Sequence, residues 1–199
     1  MASKGEAMKG KTERLYAIVK PWYTVLLHLL YHPKWIGKEN IPEEGPIVIA
    51  ANHKMAFDPL LVLTATKRQV SYLAKSDLFR GIPGWFFRNM GMIPVYRDKG
   101  NMKAVLEAEE VLRKGGAIGI FPEGKRNHTQ QELLPFRTGA VRLAKQAMCP
   151  IVPCAITGKY RLFRKGIQIE FGKPISIENF EIKDANQILQ EEIRKLLRK

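Results

Sequence analysis

Two kinds of apolar pattern alternate along the chain. Short continuous apolar runs stand at residues 46–51 ("PIVIAA"), 70–75 ("VSYLAK"), 92–96 ("MIPVY"), 117–121 ("AIGIF") and 151–157 ("IVPCAIT"). Between them, at 58–68, 101–115 and 139–148, apolar residues recur every three or four positions. Runs of this length bounded by turn residues predict buried strands, and the longer periodic stretches predict helices. Residues 84–90 read as a short helix or loop, and 166–175 as one more strand. Gly115 and Gly116 close the helix over 101–115, and 184–199 reads as a final amphipathic helix capped by Asp184. Strands separated by helices of ten or more residues imply βαβ units. The expected class is α/β: a single domain with a mostly parallel or mixed central sheet flanked by helices. Pro153, inside the run at 151–157, predicts an edge strand or a bulge.

The amino end follows a different pattern. Leu15, Ile18, Val19, Trp22, Leu26, Leu29 and Leu30 recur at helical spacing, with Lys20, Thr24 and His28 on another side and Pro21 marking a kink or a fresh first turn. The stretch lacks a small-residue cleavage site and never reaches the roughly 18 apolar residues that cross a bilayer. It has two readings: an amphipathic helix lying in a membrane interface, or a helix packed on the domain core. The expected division is 1–35 as basic leader and membrane-associating helix and 36–199 as the domain, joined through the turn-rich "GKENIPEEG" at 37–45.

Charge narrows the partners. The 199 residues, 45% hydrophobic and 26% charged, are those of one globular domain. Against 19 acids stand 33 Lys and Arg, a formal +14. Such a surplus favours nucleic acid, an anionic membrane surface or phosphorylated substrates, or is simply a solvated basic surface. No aromatic RNA-binding strand, helix-turn-helix pattern or zinc spacing appears, so no nucleic-acid partner is expected. Cys149 and Cys154 fit no common zinc spacing and are expected as buried reduced thiols.

Candidate chemistry lies just after the strands. His53 and Asp58, in "ANHKMAFDPL", are five apart, so they cannot face each other along one helix but can meet across a turn. Asp58 precedes Pro59, which favours an aspartate cap at a helix start. Cap and histidine partner are compatible roles: a carboxylate can accept from both, fixing the imidazole tautomer and freeing its far nitrogen as a base. A merely structural histidine beside a cap is the alternative. In "IGIFPEGKRNH", Glu123 and Gly124 shape a tight turn with exposed amides, and Lys125 and Arg126 add two cations suited to a phosphate; a basic surface turn is the alternative. Arg97 leaves the strand at 92–96 and is a further cation for that phosphate.

Taken in order, "NHKMAFD", "GMIPVYR", "FPEGKR" and "VPCAI" resemble the four motif blocks of the lysophosphatidic acid and glycerol-3-phosphate acyltransferase family, and the likeness runs over roughly residues 35–175. Two departures are Met55, where many relatives carry Ser, and Lys125, where they carry Thr. The resemblance implies transfer of a fatty acyl group from acyl-CoA or acyl-carrier protein to lysophosphatidic acid, giving phosphatidic acid. In it His53 is the general base, Asp58 orients the imidazole, and Arg97, Glu123, Gly124, Lys125 and Arg126 form the phosphate site, without metal, cofactor or acyl-enzyme. It also implies work at the cytoplasmic face of the membrane, interfacial rather than spanning. Glycerol 3-phosphate or another lysophospholipid as acceptor, a transacylase, a hydrolase and a non-enzymatic anionic-lipid-binding module are the rival readings.

Overall fold

The computed structural model describes residues 4–96 and 101–198, with side chains from residue 15 onward. Seven strands form one sheet: β1 (Lys34–Ile36), β2 (Ile47–Ala51), β3 (Val70–Lys75), β4 (Ile93–Val95), β5 (Ala117–Ile120), β6 (Ile151–Gly158) and β7 (Ile167–Phe171). Their spatial order is β1-β7-β6-β2-β5-β3-β4. β6, β2, β5, β3 and β4 run parallel, whereas β7 turns back antiparallel on β6 and carries β1 in its own direction. The sheet is thus mixed, with a parallel centre, and the chain is one α/β domain.

Strand alternation sends side chains to two covered faces. On one, Ile47, Ile49, Val70, Tyr72 and Val152 pack with α1 (Lys4–Tyr31), α2 (Asp58–Leu63) and α3 (Gly81–Asn89). On the other, Val48, Ala50, Ile118 and Ile151 meet α4 (Met102–Arg113), α5 (Gly139–Gln146) and α6 (Ile182–Leu197). Cys149 and Cys154 are buried free thiols that belong to opposite faces.

Three local expectations are corrected. Pro153 is not on an edge, because β6 lies between β7 and β2. Its carbonyl accepts from Gly172 N at 2.8 Å, so its nitrogen faces the same side, where the β7 ladder has ended and no donor is required. The last helix begins at Ile182 behind Glu181, which places Asp184 in the first turn rather than at the cap. Pro21 neither ends nor restarts α1, which runs continuously through it.

α1 fits both readings of the amino end. Tyr16 and Leu27 are buried in the core, and the Tyr16 hydroxyl donates to Arg68 O at 3.0 Å. Ile18, Trp22, Val25 and Leu29, at spacings of four, three and four, form an exposed apolar stripe on the other side, with Trp22 77% exposed. Lys20 is on the inward side: its ammonium donates to Thr66 O and lies 5.4 Å from the Tyr16 ring centre. Among the described residues, no helix is long and apolar enough to cross a membrane.

Candidate active site

The loops leaving β2, β5 and β6 share the carboxyl edge of the sheet, where ligands bind in folds of this class. Asn52 follows β2 directly and is buried. Its amide donates to Ile156 O at 3.0 Å and its carbonyl accepts from Ile156 N at 2.7 Å, so β2 stays stitched to β6 just where the strand gives way to loop. His53 therefore leaves a fixed backbone.

The His53 and Asp58 side chains meet. Nδ1 of His53 lies 2.9 Å from Oδ2 of Asp58. The same oxygen accepts from the backbone amides of Lys54 at 2.6 Å and Met55 at 2.8 Å, and the Tyr160 hydroxyl donates to the other oxygen, Oδ1. Asp58 heads α2 with Pro59 in the first turn, but it makes no forward cap: its acceptors point back into the loop that carries the histidine. Four donors converge on one carboxylate that is 0% exposed. Since that acceptor can take only a hydrogen, Nδ1 carries the proton and Nε2 is the free base. The His53 side chain is 18% exposed, and no described residue hydrogen-bonds its Nε2.

An aromatic column fixes the plane of the ring. Phe121 stacks on His53 with centroids 4.0 Å apart and 17° between planes, and Tyr72 stacks on Phe121 at 5.3 Å. Gly119 makes room for the column: a Cβ there would come 2.1 Å from the Tyr72 ring. Burial pushes the hydroxyls of Tyr72 and Tyr160 far above the ordinary phenol range, and the nearby Asp58 carboxylate pushes both further. Tyr160 accordingly stays a hydrogen-bond donor at any pH the fold would meet.

The turn after β5 interlocks with the histidine loop. Glu123 is buried, and its two oxygens accept from His53 N at 2.8 Å and Leu134 N at 2.9 Å. Both oxygens face amides, so Glu123 sets the shape of the turn. Asn127 N returns a bond to His53 O at 2.7 Å. Gly124 adopts φ 70°, and its amide is spent on Phe121 O at 2.9 Å. Lys125 and Arg126 are exposed beside this junction, while Arg97 lies outside the described residues. A cation absent from the expected set also belongs here: Arg137 packs on Gly124, its Nε only 2.8 Å from where a Cβ would stand.

Sequence reasoning brought His53, Asp58 and the Glu123–Arg126 turn to one edge but missed Asn52, Tyr160, Phe121 and Arg137. Asn52 and Phe121 each open one of the motif blocks and could have been flagged for that. Tyr160 is 102 positions from Asp58, and no local signal joins them. Among the described residues no cluster of His, Cys, Asp and Glu could hold a metal ion. The cysteines also lack nucleophilic character: burial pushes the Cys149 thiol up to about 11, and burial with the Asp58 charge raises Cys154 well above its usual range.

Comparison with known proteins places the chain in a family. A family model described as Acyltransferase matches residues 32–157, from before β1 through most of β6. The 1-acyl-sn-glycerol-3-phosphate acyltransferase of Bacillus subtilis is 32% identical over 162 residues, covering 78% of this chain and 80% of that protein. The enzyme of the same name from Saccharomyces cerevisiae is 32% identical over 177 residues, covering 79% of this chain and 56% of its own length. Among solved structures, the 1-acyl-sn-glycerophosphate acyltransferase of Thermotoga maritima superposes with TM-score 0.74 at 20% identity, over 98% of this chain and 81% of that one, so the two share a fold. From the extent of the family match and the identity to these relatives, the chain belongs to the acyltransferase family and is an enzyme of acyl transfer.

Proposed function

We propose that this enzyme moves a fatty acyl group from an acyl thioester, acyl-CoA or acyl-carrier protein, to the free hydroxyl of 1-acyl-glycerol-3-phosphate, yielding phosphatidic acid. One observation carries the reading above all: a buried carboxylate with four donors holds His53 so that a free Nε2 stands beside a cationic turn. Nε2 takes the proton of the acceptor hydroxyl while its oxygen attacks the thioester carbonyl. The tetrahedral adduct then collapses, the C–S bond breaks, and the proton passes from Nε2 to the leaving thiolate. Asp58 keeps the tautomer and stabilises the imidazolium that forms between these steps. No acyl-enzyme forms, which accords with the two inert, buried thiols.

Lys125, Arg126 and Arg137 receive the acceptor phosphate, with Arg97 as a fourth cation; each charge-assisted bond contributes about 1.5–3 kcal/mol. The exposed stripe of α1, beside a surface of net +14, rests at an anionic bilayer, from which the acceptor is drawn. The protein then acts from the cytoplasmic face, with α1 lying in the interface. The names of the relatives support lysophosphatidic acid as the acceptor.

The test is acyl transfer in mixed micelles from labelled acyl-CoA, then acyl-carrier protein, to lysophosphatidic acid or glycerol 3-phosphate, for wild type and His53→Ala. Phosphatidic acid made by the wild type and lost in the variant is the expected result. Free fatty acid released without acceptor would instead make it a hydrolase, and turnover surviving in His53→Ala would overturn the base assignment.

A further inference from the structure

β6 extends well past the site it serves. Ala51, the last residue of β2, pairs with Cys154, yet β6 continues to Gly158. At about 3.3 Å per residue the turn into β7 projects roughly 13 Å beyond the sheet edge on which His53 stands. Gly158 has φ 86°, and a Cβ there would lie 1.5 Å from Gly166 O, so only glycine lets the two arms close at the base of this hairpin.

The hairpin tip combines cations with exposed apolar residues. Between the glycines the chain reads "KYRLFRK": Lys159, Arg161, Arg164 and Lys165, with no acid among them. At the apex, Leu162 is 58% and Phe163 71% exposed. This exposure is held in place. Phe163 takes a left-handed φ of 59°, a conformation that costs a non-glycine residue energy, and its amide donates to Leu30 O at 2.6 Å. Tyr160 packs edge-on against Tyr31 with centroids 5.5 Å apart. The tip is thereby fastened to the carboxyl end of α1, the helix that carries the exposed apolar residues Ile18, Trp22, Val25 and Leu29.

We infer that the β6–β7 hairpin is a second membrane contact: Leu162 and Phe163 enter the interface while Arg161, Arg164 and Lys165 bind anionic phospholipid headgroups. This rests on the reading that the enzyme works at a lipid surface, and extends it from α1 to a different element. An apolar apex flanked by cations matches the layering of an anionic bilayer, in which charge lies outside hydrocarbon. An acidic carrier protein would be met by the cations alone and gives no reason to expose a phenyl ring in a strained backbone. The same hairpin supplies Tyr160 to Asp58, so the membrane contact and the catalytic carboxylate are joined through one short segment.

The test is flotation of the full chain with vesicles of phosphatidylcholine plus phosphatidylglycerol, and with phosphatidylcholine alone. It compares wild type, Leu162→Ser/Phe163→Ser and Arg161→Gln/Arg164→Gln/Lys165→Gln. In parallel, acyl transfer is measured with a short-chain acceptor kept monomeric in solution. The serine pair is expected to weaken binding to anionic vesicles by about tenfold or more. The glutamine triple should abolish the preference for anionic over neutral vesicles, and both should turn over the monomeric acceptor like wild type. Unchanged vesicle binding in the serine pair, or no binding by wild type, overturns the inference; wild-type turnover of the monomeric acceptor tests the proposed reaction separately. If the glutamine triple floats normally but loses turnover only with acyl-carrier protein, the hairpin recognises the carrier and not lipid. If either variant fails on the monomeric acceptor, the tip acts on Asp58 through Tyr160, which equally overturns membrane docking.

Discussion

Replacing Asp58 by Asn isolates the charge of the buried carboxylate from its geometry. The Asn carbonyl can occupy the Oδ2 position and keep the donors from His53 Nδ1, Lys54 N and Met55 N at 2.9, 2.6 and 2.8 Å. Its amide then faces the Tyr160 oxygen, which can turn to accept. Every contact retains a partner, and only the negative charge is lost. In the proposed reaction that charge sits beside an imidazolium. Opposite charges about 4 Å apart at an effective dielectric of 20 attract by about 4 kcal/mol. With Asp58 wholly buried, solvent does little to screen the pair. At 1.36 kcal/mol per tenfold, kcat should fall by about a thousandfold. The KM for the acceptor should stay put, because no cation of the turn is touched. The assay is steady-state acyl transfer with labelled donor in mixed micelles, paired with thermal melting of both proteins. A correctly folded Asp58→Asn enzyme that keeps kcat within tenfold of wild type would refute the assignment of His53 as a base supported by this carboxylate.

Other perturbations separate catalysis from scaffolding. Tyr160→Phe removes one charge-assisted bond to Asp58, of about 1.5–3 kcal/mol, and should lower kcat by about ten- to a hundredfold in the same assay with acceptor KM unmoved. Glu123→Gln turns an amide donor against the backbone N–H of His53 or Leu134, and should cost about 1–3 kcal/mol in urea unfolding. Burial lowers the Lys20 ammonium from 10.5 to about 8, so between those values the unfolded chain holds a proton that the folded chain has released. Stability should therefore rise with pH across that window, with the cost of a buried charge fully present below about 8. The difference between wild-type and Lys20→Met urea midpoints, followed across that range, measures it; a flat difference would show that the amine stays charged.

The sequence exposed whatever is local and periodic. The run at 70–75 became β3 residue for residue, and the continuous apolar runs became the parallel centre, since a strand covered on both faces has no polar side to show. β1 escaped notice because its three residues are held by the partner Gln168–Glu170 and not by any pattern of their own. Pro153 misled because the rule against proline in interior strands assumes a ladder on both sides, and here one ladder stops short. Asp58 was rightly placed at a helix start, but its acceptors turned backward because the histidine loop supplies donors closer than the helix does. The partners Tyr160 and Asn52–Ile156 are products of the sheet order, which brings β6 against β2 across about half the chain.

The small residue under the aromatic column gives the site an evolutionary rule. Gly119 is on β5, Tyr72 on the neighbouring β3, and the ring they position through Phe121 belongs to a loop after β2. Any side chain at 119 must displace Tyr72, and with it the floor beneath the His53 ring. The two positions consequently cannot vary independently: enlarging 119 is tolerable only together with a shrunken 72, and the pair should show strongly non-additive effects on turnover. Lineages that adjust the tilt of the imidazole are expected to do so by exchanging volume between two core strands, leaving the histidine and its carboxylate unchanged.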